Sequence, residues 1–164
     1  MARIASIGAL ALAALTLAGC GFTPLYGRPG VGATLSSVQV SAPTGRAGQL
    51  MREHLDDALS RDSNLKPQYR MDLQISEQRY PRGIRVDNVA TRYEYVLTAA
   101  YTLVSTADGA TAKVGRVRVE VTYDSADQPY ASVAAQQDAQ DRAAGEAARK
   151  IELELATWLA GAKS

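Results

Sequence analysis

The residue whose chemistry is easiest to define is Cys20, the single cysteine of the chain. It lies between an apolar run ending in LTLAGC and the glycine-rich stretch GFTPLYG. One cysteine cannot form a disulfide within the chain, and one cysteine with one histidine supplies too few ligands for a metal site. The remaining chemistry is that of a thiolate nucleophile that accepts a covalent group.

The residues before Cys20 have the order of a secretory signal peptide. Arg3 supplies a positive n-region, and residues 4–18 are apolar but shorter than the roughly 20 residues that a membrane-spanning helix needs. The sequence LAGC resembles the lipobox of bacterial lipoproteins, in which the cysteine thiol is acylated and becomes the new N-terminus. We therefore predict a lipoprotein signal peptide at 1–19 and lipid on Cys20, with no cofactor other than this covalent anchor.

The residue after the cysteine indicates where the protein is delivered. It is Gly21 and not the aspartate that retains lipoproteins in the inner membrane under the enterobacterial sorting rule. Two or three acyl chains anchor a protein durably, whereas one holds only marginally. We expect a lipid-anchored protein on the periplasmic side of the outer membrane.

A lipidated arm is predicted over residues 20–34, because glycine and proline are frequent there. It also carries large apolar side chains that are unusual in a solvated linker, namely those of Phe22, Leu25 and Tyr26. We expect these three to contact a partner, the membrane or the domain itself.

A second chemically suggestive stretch is SEQRYPRGIRVDNVATRY, residues 76–93. It interleaves four arginines with two tyrosines around a predicted turn, and basic residues of the next strand could extend it. Guanidinium groups bind phosphate and carboxylate oxygens in bidentate geometry, and tyrosine rings add apolar contact. Composition alone is explained more simply by a solubilising hairpin tip. The candidates for binding an anionic ligand are Arg79, Arg82, Arg85, Arg92, Lys113 and Arg116.

The common catalytic motifs are absent from the sequence. It contains no glycine-rich phosphate loop after a strand, no G-x-S-x-G and no H-E-x-x-H. His54 borders the apolar stripe of a predicted helix without an evident nucleophile. Asp56 and Asp57 are adjacent on that helix and point about 100° apart, so they do not form a catalytic pair. We predict that the protein is not an enzyme.

Hydrophobic periodicity predicts the order strand, helix, strand, strand, strand, helix. The Asp-Gly dipeptide in ADGA favours a hairpin between the last two strands. The predicted class is α+β: a two-layer sandwich with two helices on one face of a largely antiparallel four-stranded sheet. The open face is expected to carry Arg92, Glu94, Arg116 and Arg118. The predicted elements span residues 35–40, 46–61, 69–76, 89–106, 112–123 and 132–160.

Length and charge limit the remaining possibilities. The 164 residues are 46% hydrophobic, which suits one domain with a real core, predicted over residues 35–164. Lys and Arg number 18 against 17 Asp and Glu. This balance gives no support to nucleic-acid binding, so charge-based recognition must be local.

Two stretches resemble the alphaproteobacterial form of the LptE family of LPS-assembly lipoproteins. They are GCGFTPLYG at 19–27 and YASVAAQQDAQDRAAGEAARKIELEL at 130–155. The resemblance implies a non-catalytic outer-membrane subunit that sits partly inside the LptD β-barrel, one to one, where it plugs the barrel, assists its assembly and helps to deliver lipopolysaccharide to the outer leaflet. It also implies direct binding of lipopolysaccharide through basic residues, without placing those residues in this chain.

Two rival interpretations remain. One is an auxiliary lipoprotein subunit of another lipid-exporting ABC transport system, with a similar anchor and a different partner. The other is a periplasmic hydrolase that needs no cofactor, which the lack of a histidine beside any nucleophile disfavours.

Overall fold

A computed structural model describes residues 30–84, 90–125 and 128–161 of the chain. Within these ranges the chain forms three helices and four strands. In chain order they are α1 (Val31–Leu35), β1 (Val38–Ser41), α2 (Arg46–Ala58), β2 (Tyr69–Ile84), β3 (Ala90–Ser105), β4 (Thr111–Asp124) and α3 (Pro129–Gly161).

The four strands form one sheet in the order β1, β2, β3, β4. β1 runs parallel to β2, which requires the crossover that α2 provides, and the other two pairings are antiparallel. β1 pairs only with Tyr69–Asp72, so β2 and β3, each of 16 residues, continue past it. They extend about 50 Å from a base end, where Tyr69 pairs with Ser105, to a hairpin end, where Arg82 pairs with Arg92.

The sheet has one buried face and one open face. Along β2, β3 and most of β4 the odd-numbered residues point toward the helices, because successive side chains of a strand alternate. The even-numbered residues form the open face, which no described helix or loop covers. The helix-facing side chains that are buried include Met71, Leu73, Tyr95, Leu97, Ala99, Tyr101, Leu103, Val117, Val119, Val121 and Tyr123.

α3 covers the buried face along nearly its whole length. Its 33 residues span about 50 Å, which matches the length of the hairpin. Toward the hairpin end its buried positions are small, whereas toward the base Ile151, Leu155 and Leu159 fill a wider space beside Met51 and Leu55 of α2. The small buried residues, which let the helix lie close to the sheet, are Ala139, Ala143, Ala144, Gly145, Ala147 and Ala148.

The predicted fold class is confirmed, with corrections to two elements. A strand was predicted to begin at Leu35 after an extended arm, but Leu35 ends α1 and the strand begins at Val38. Val31 and Leu35 are both buried, because residues four apart share one face of a helix. β2 was predicted to end at residue 76 but continues to Ile84. The predicted signal peptide, 1–19, lies outside the described residues.

One contact between the sheet and α3 depends on a missing side chain. The ring of Tyr101 lies across Gly115 of the neighbouring strand, where an added Cβ would be 2.4 Å from three atoms of the tyrosine. From there the Tyr101 hydroxyl donates to Glu154 Oε2 of α3 at 2.7 Å. Gly115 thus permits a buried tyrosine to connect the central strand with the long helix.

We predict that Gly115→Ala lowers the free energy of unfolding by roughly 1–3 kcal/mol, because the buried Tyr101 ring must move to admit the methyl group. Urea denaturation of the purified domain measures the change. Gly32→Ala in α1 is the control, since its Cβ would meet no atom within 4 Å. An equal loss in both variants would contradict the packing.

We also predict that stability falls at alkaline pH. Burial, followed by hydrogen bonding to Glu77 and Glu154, raises the pKa of Tyr95 and Tyr101 above the ordinary value. A pKa raised in the folded state means that the stabilisation is complete below the unfolded value near 10 and is lost as pH rises through the folded value.

Urea unfolding between about pH 8 and 11 tests this dependence. Tyr101→Phe should weaken it, whereas Tyr130→Phe should not, because Tyr130 is 91% exposed. Stability that is constant up to about pH 11 would contradict the prediction.

Candidate functional site

The six basic candidates do not form one patch. Arg82, Arg92 and Arg116 lie on the open face, whereas Arg79 and Lys113 lie on the helix-facing side at opposite ends of the sheet. Arg85 lies outside the described residues. The structure divides the described candidates between the two faces, because neighbouring residues of a strand point to opposite faces. That these residues bind an anionic ligand stays a prediction.

At the hairpin end of the open face, two directly opposed arginines are neutralised by carboxylates. Arg82 and Arg92 are cross-strand partners. The Arg82 Nε donates to Glu94 Oε2 at 2.9 Å, and the Arg92 Nε donates to Asp124 Oδ1 at 2.8 Å. Like charges placed opposite each other destabilise a sheet, so the two acids make this arrangement tolerable.

Glu94 connects this pair with the middle of the open face. The hydrogen bond from Arg82 is the main cause that lowers the pKa of Glu94, and Glu120 and Arg118 lower it further, while desolvation opposes them. Arg118 in turn donates to Glu120 at 2.8 Å. Charged groups of β2, β3 and β4 are therefore close enough on the open face to influence one another.

Arg79 lies on the helix-facing side of the sheet. Its guanidinium carbon lies 4.7 Å from the centre of the Tyr93 ring, and that ring stacks on Tyr123 with 5.6 Å between centroids. Arg79 Nη1 also donates to Gln136 Oε1 of α3 at 2.9 Å. This cation–π and hydrogen-bond arrangement joins the hairpin to the start of α3, which makes Arg79 a structural residue.

The middle of the open face holds a shallow cavity of about 370 Å³. Its lining combines amide, hydroxyl and guanidinium groups from three strands, which suits hydrogen bonding to a polar, anionic ligand. Arg116 is exposed and pairs in register with Ala100, and in the described ranges it has neither an ion pair nor a hydrogen bond. The lining residues are Gln74, Ile75, Ser76, Gln78, Thr98, Ala100, Arg116 and Arg118.

The two groups of open-face arginines are far apart. Arg116 is eight residues from Asp124, the partner of Arg92, which corresponds to roughly 27 Å along the strand. One small anionic group cannot contact both. Arg116 is also the more available of the two, because the hairpin-end arginines already bind carboxylates.

The amides of this cavity were missed by sequence reasoning. Gln74 and Ser76 lie on the polar side of β2, but only the register of the three strands brings them beside Arg116. Val96, also on the open face, is only 1% exposed between Gln78 and Glu120. The alternation of polar and apolar residues in β2 and β3 indicates which face each of these residues occupies, but not which residues lie beside it.

The described residues supply little for catalysis. His54 bridges α2 and α3 through a 3.0 Å contact between its Nε2 and Asp141 Oδ1, as a helix-edge histidine would. The dent around this pair is lined by Val121, Arg142, Gly145, Glu146 and Arg149, without a hydroxyl or thiol nucleophile. Over the same ranges no group of three metal-binding side chains occurs, and no helix is long and apolar enough to span a membrane.

The lipidation and arm candidates lie outside the described part of the chain. Cys20, Phe22, Leu25 and Tyr26 all precede Gly30, where the description begins. Their roles remain predictions from the sequence.

Comparisons with known structures agree with this geometry. A crystal structure of a Caulobacter crescentus protein assigned as a lipoprotein is 53% identical, with a TM-score of 0.72 over 82% of this chain and 98% of that one. The rare lipoprotein B of Shewanella oneidensis is 14% identical, with a TM-score of 0.59 over 77% and 97%. A lipoprotein B from Nitrosomonas europaea is 16% identical, with a TM-score of 0.51 over 74% and 85%. The last two show the shared fold alone.

The search of curated proteins found no match. The family model for LptE, described as lipopolysaccharide-assembly, matches residues 34–155. That range begins in α1 and ends within α3, so it includes all four strands. The chain therefore belongs to the LptE family of lipopolysaccharide-assembly proteins.

Proposed function

We propose that this protein is a non-catalytic, lipid-anchored subunit of the lipopolysaccharide translocon, held on the periplasmic side of the outer membrane through Cys20. Its partner is an LptD-like β-barrel, which it enters one to one, plugs and helps to assemble. Membership of the LptE family supports the assembly role. The observation that carries the proposal is the long open sheet face, on which four arginines are paired with carboxylates.

The open face suits enclosure by a polar wall. The interior of a membrane β-barrel is polar, so an entering surface must bring hydrogen-bonding groups without carrying unpaired buried charge. Around the described open face, ion pairs join Arg70 to Asp72, Arg82 to Glu94, Arg92 to Asp124 and Arg118 to Glu120. Each of these four arginines therefore already has a counter-charge before the domain enters the barrel.

The same face offers a place for the transported lipid. A phosphate or carboxylate of lipopolysaccharide would find a guanidinium without a competing acid at Arg116, with amides and hydroxyls around it. Of the sequence-predicted candidates, Arg82 and Arg92 would act only if the ligand displaced Glu94 and Asp124. Arg116 is therefore our first choice for direct contact.

A pull-down from detergent-solubilised outer membrane tests the partner. The mature chain should retain an LptD-like barrel in equimolar amount, and mass spectrometry should find acyl groups on Cys20. Capture of an inner-membrane ABC transporter without the barrel would support the rival subunit and overturn this proposal. Turnover of ester, peptide or glycan substrates would overturn the non-catalytic role.

We predict that Arg116→Ala weakens binding of lipopolysaccharide roughly tenfold, the effect of losing one charge-assisted hydrogen bond. Isothermal titration with purified lipopolysaccharide measures the affinity. Thermal stability should not change, because Arg116 is exposed.

Arg70→Ala is the matched control for Arg116, since Arg70 lies on the same face and Asp72 already binds it at 2.9 Å. Its loss should leave the affinity nearly unchanged. If Arg82→Ala with Arg92→Ala abolished binding while Arg116→Ala had no effect, the ligand would bind at the hairpin end instead.

A further inference from the structure

A shallow groove lies on the outer side of α3 at the base end. Leu153 is 55% exposed there, and Trp158, five residues further along the helix, is partly buried against the core. The Trp158 ring meets Tyr69 edge to face, with 6.0 Å between the ring centroids. The groove has a volume of about 510 Å³, within the size range of binding pockets. We call it the α3 groove, and its lining residues are Lys113, Leu153, Glu154, Thr157 and Trp158.

The lining of the α3 groove suits apolar and aromatic side chains. The Tyr101 hydroxyl donates to Glu154 Oε2 at 2.7 Å, so this carboxylate already has a partner inside the fold. Lysine places its alkyl stem along apolar surface and keeps the ammonium group in water, so Lys113 adds to the apolar wall. Leu153 and Trp158 supply most of the remaining surface. An occupant that brings a leucine or an aromatic ring would bury apolar area against them.

The chain enters the described part of the fold close to the α3 groove. The Ser37 carbonyl accepts from the Gln68 amide at 3.2 Å, which holds the end of α1 at the base. Gly30 is seven residues before Ser37, and five of the residues between them are helical, so it lies no more than about 15 Å from that point. α1 also packs against α3. The arm therefore starts beside the base portion of α3.

The arm carries large apolar side chains within reach of the groove. Residues 20–29 precede the described part of the chain and include Phe22, Leu25 and Tyr26. An extended chain spans up to about 3.6 Å per residue, so Tyr26 is at most 14 Å or so from Gly30, and Phe22 at most 29 Å or so. A helix with its side chains is about 10–12 Å across. The arm is thus long enough to cross α3 and enter the groove.

The exposed apolar side chains of the hairpin end are beyond this reach. Tyr130 is 91% exposed and Val133 is 54% exposed, and both belong to the start of α3. Val133 is 20 residues before Leu153, which corresponds to about 30 Å along the helix. Leu25 is at most 18 Å or so from the start of α1, which is too short a span. Tyr80, 40% exposed, lies on the open face, across the sheet from α3.

We propose that the arm folds back across α3 and that residues 22–26 dock in the α3 groove, with their apolar side chains against Leu153 and Trp158. The docked segment leaves only Gly21 between it and Cys20, so the lipid attachment point is held beside α3 rather than at the end of a ten-residue tether. The contact goes beyond the function proposed above, because neither lipid nor a partner takes part in it. It also leaves the open face free to meet a barrel.

The fluorescence of Trp158 tests this contact, because it is the only tryptophan of the chain. Acrylamide quenching is measured on residues 20–164 with Cys20→Ser, without lipid or partner. The test variant carries Phe22→Ser, Leu25→Ser and Tyr26→Ser. Its quenching constant should be roughly twofold higher than that of the parent, because the indole loses its cover. Thr23→Ala with Arg28→Ala keeps the three apolar side chains of the arm and should be quenched like the parent.

Proteolysis tests the same contact from the side of the groove. Chymotrypsin cleaves after aromatic residues, so it cuts the arm after Phe22 or Tyr26 while the arm is undocked. Leu153→Ser should speed this cleavage roughly fivefold, because the docked state loses the burial of one leucine. The fold should persist, because Leu153 is exposed. Val133→Ser, which changes an exposed apolar residue of the same helix outside the reach of the arm, should leave the cleavage rate unchanged.

Several outcomes would overturn the proposal. Equal quenching of the parent and the triple arm variant would do so, as would equal cleavage of the parent and Leu153→Ser. Quenching that depends on protein concentration, with a dimer that Leu153→Ser dissociates, would assign the groove to a second copy of the chain. Protection of Trp158 only after vesicles or a barrel are added would assign it to the membrane or the partner. A failed pull-down of the barrel would refute the proposed function and leave these results standing, so the two failures are distinguishable.

Discussion

The close approach of α3 to the sheet is the interaction on which the other features depend. Small residues at successive buried positions of α3 let a helix of 33 residues lie along a hairpin of the same length. Glu154 accepts from Tyr101 near the base, and Gln140 donates to Glu77, itself an acceptor for Tyr95, nearer the hairpin end. Because α2 and α3 cover one face, the apolar side chains of the sheet are buried on that side.

The other face is consequently free to be polar. Val96 is the exception, an apolar residue on the open face. It is buried there, although it does not belong to the main core. Longer cross-strand neighbours flank it, so an apolar residue there does not create an apolar patch. Four described arginines of the open face form ion pairs, two within a strand and two across strands, and such exposed pairs contribute little to folding stability. Their arrangement is better explained by what this face must meet than by what holds the domain together.

Much of this architecture could be predicted from periodicity. Alternation identified β3 and β4 almost to the residue, and the Asp-Gly turn indicated that the two strands form a hairpin. α1 was missed because five residues are too few for a helical period to stand out from a glycine-rich arm. The grouping of Arg79 with Arg82 failed for another reason: composition shows that arginines are close in sequence, but not which face each one takes.

Sequence analysis also could not predict which residues pair across strands. Arg116 meets Gln74 and Thr98 only because β2, β3 and β4 align in one particular register, and no local pattern in the sequence encodes that alignment. Likewise, nothing near Arg79 indicates that Gln136 of α3 will accept its hydrogen bond. Residues that act through neighbours on the same strand could be found from the sequence, whereas those that act across strands required the fold.

The hairpin and α3 are equally long, so together they set the length of the domain. A two-layer rod of about 50 Å is longer than the hydrocarbon core of a bilayer, about 30 Å, and slightly longer than the whole membrane with its head groups. Standing upright, such a domain would reach from one aqueous boundary to the other. One rigid body could then hold the charged side chains of Arg82, Glu94 and Arg118 at a fixed distance from the base end, without any moving part.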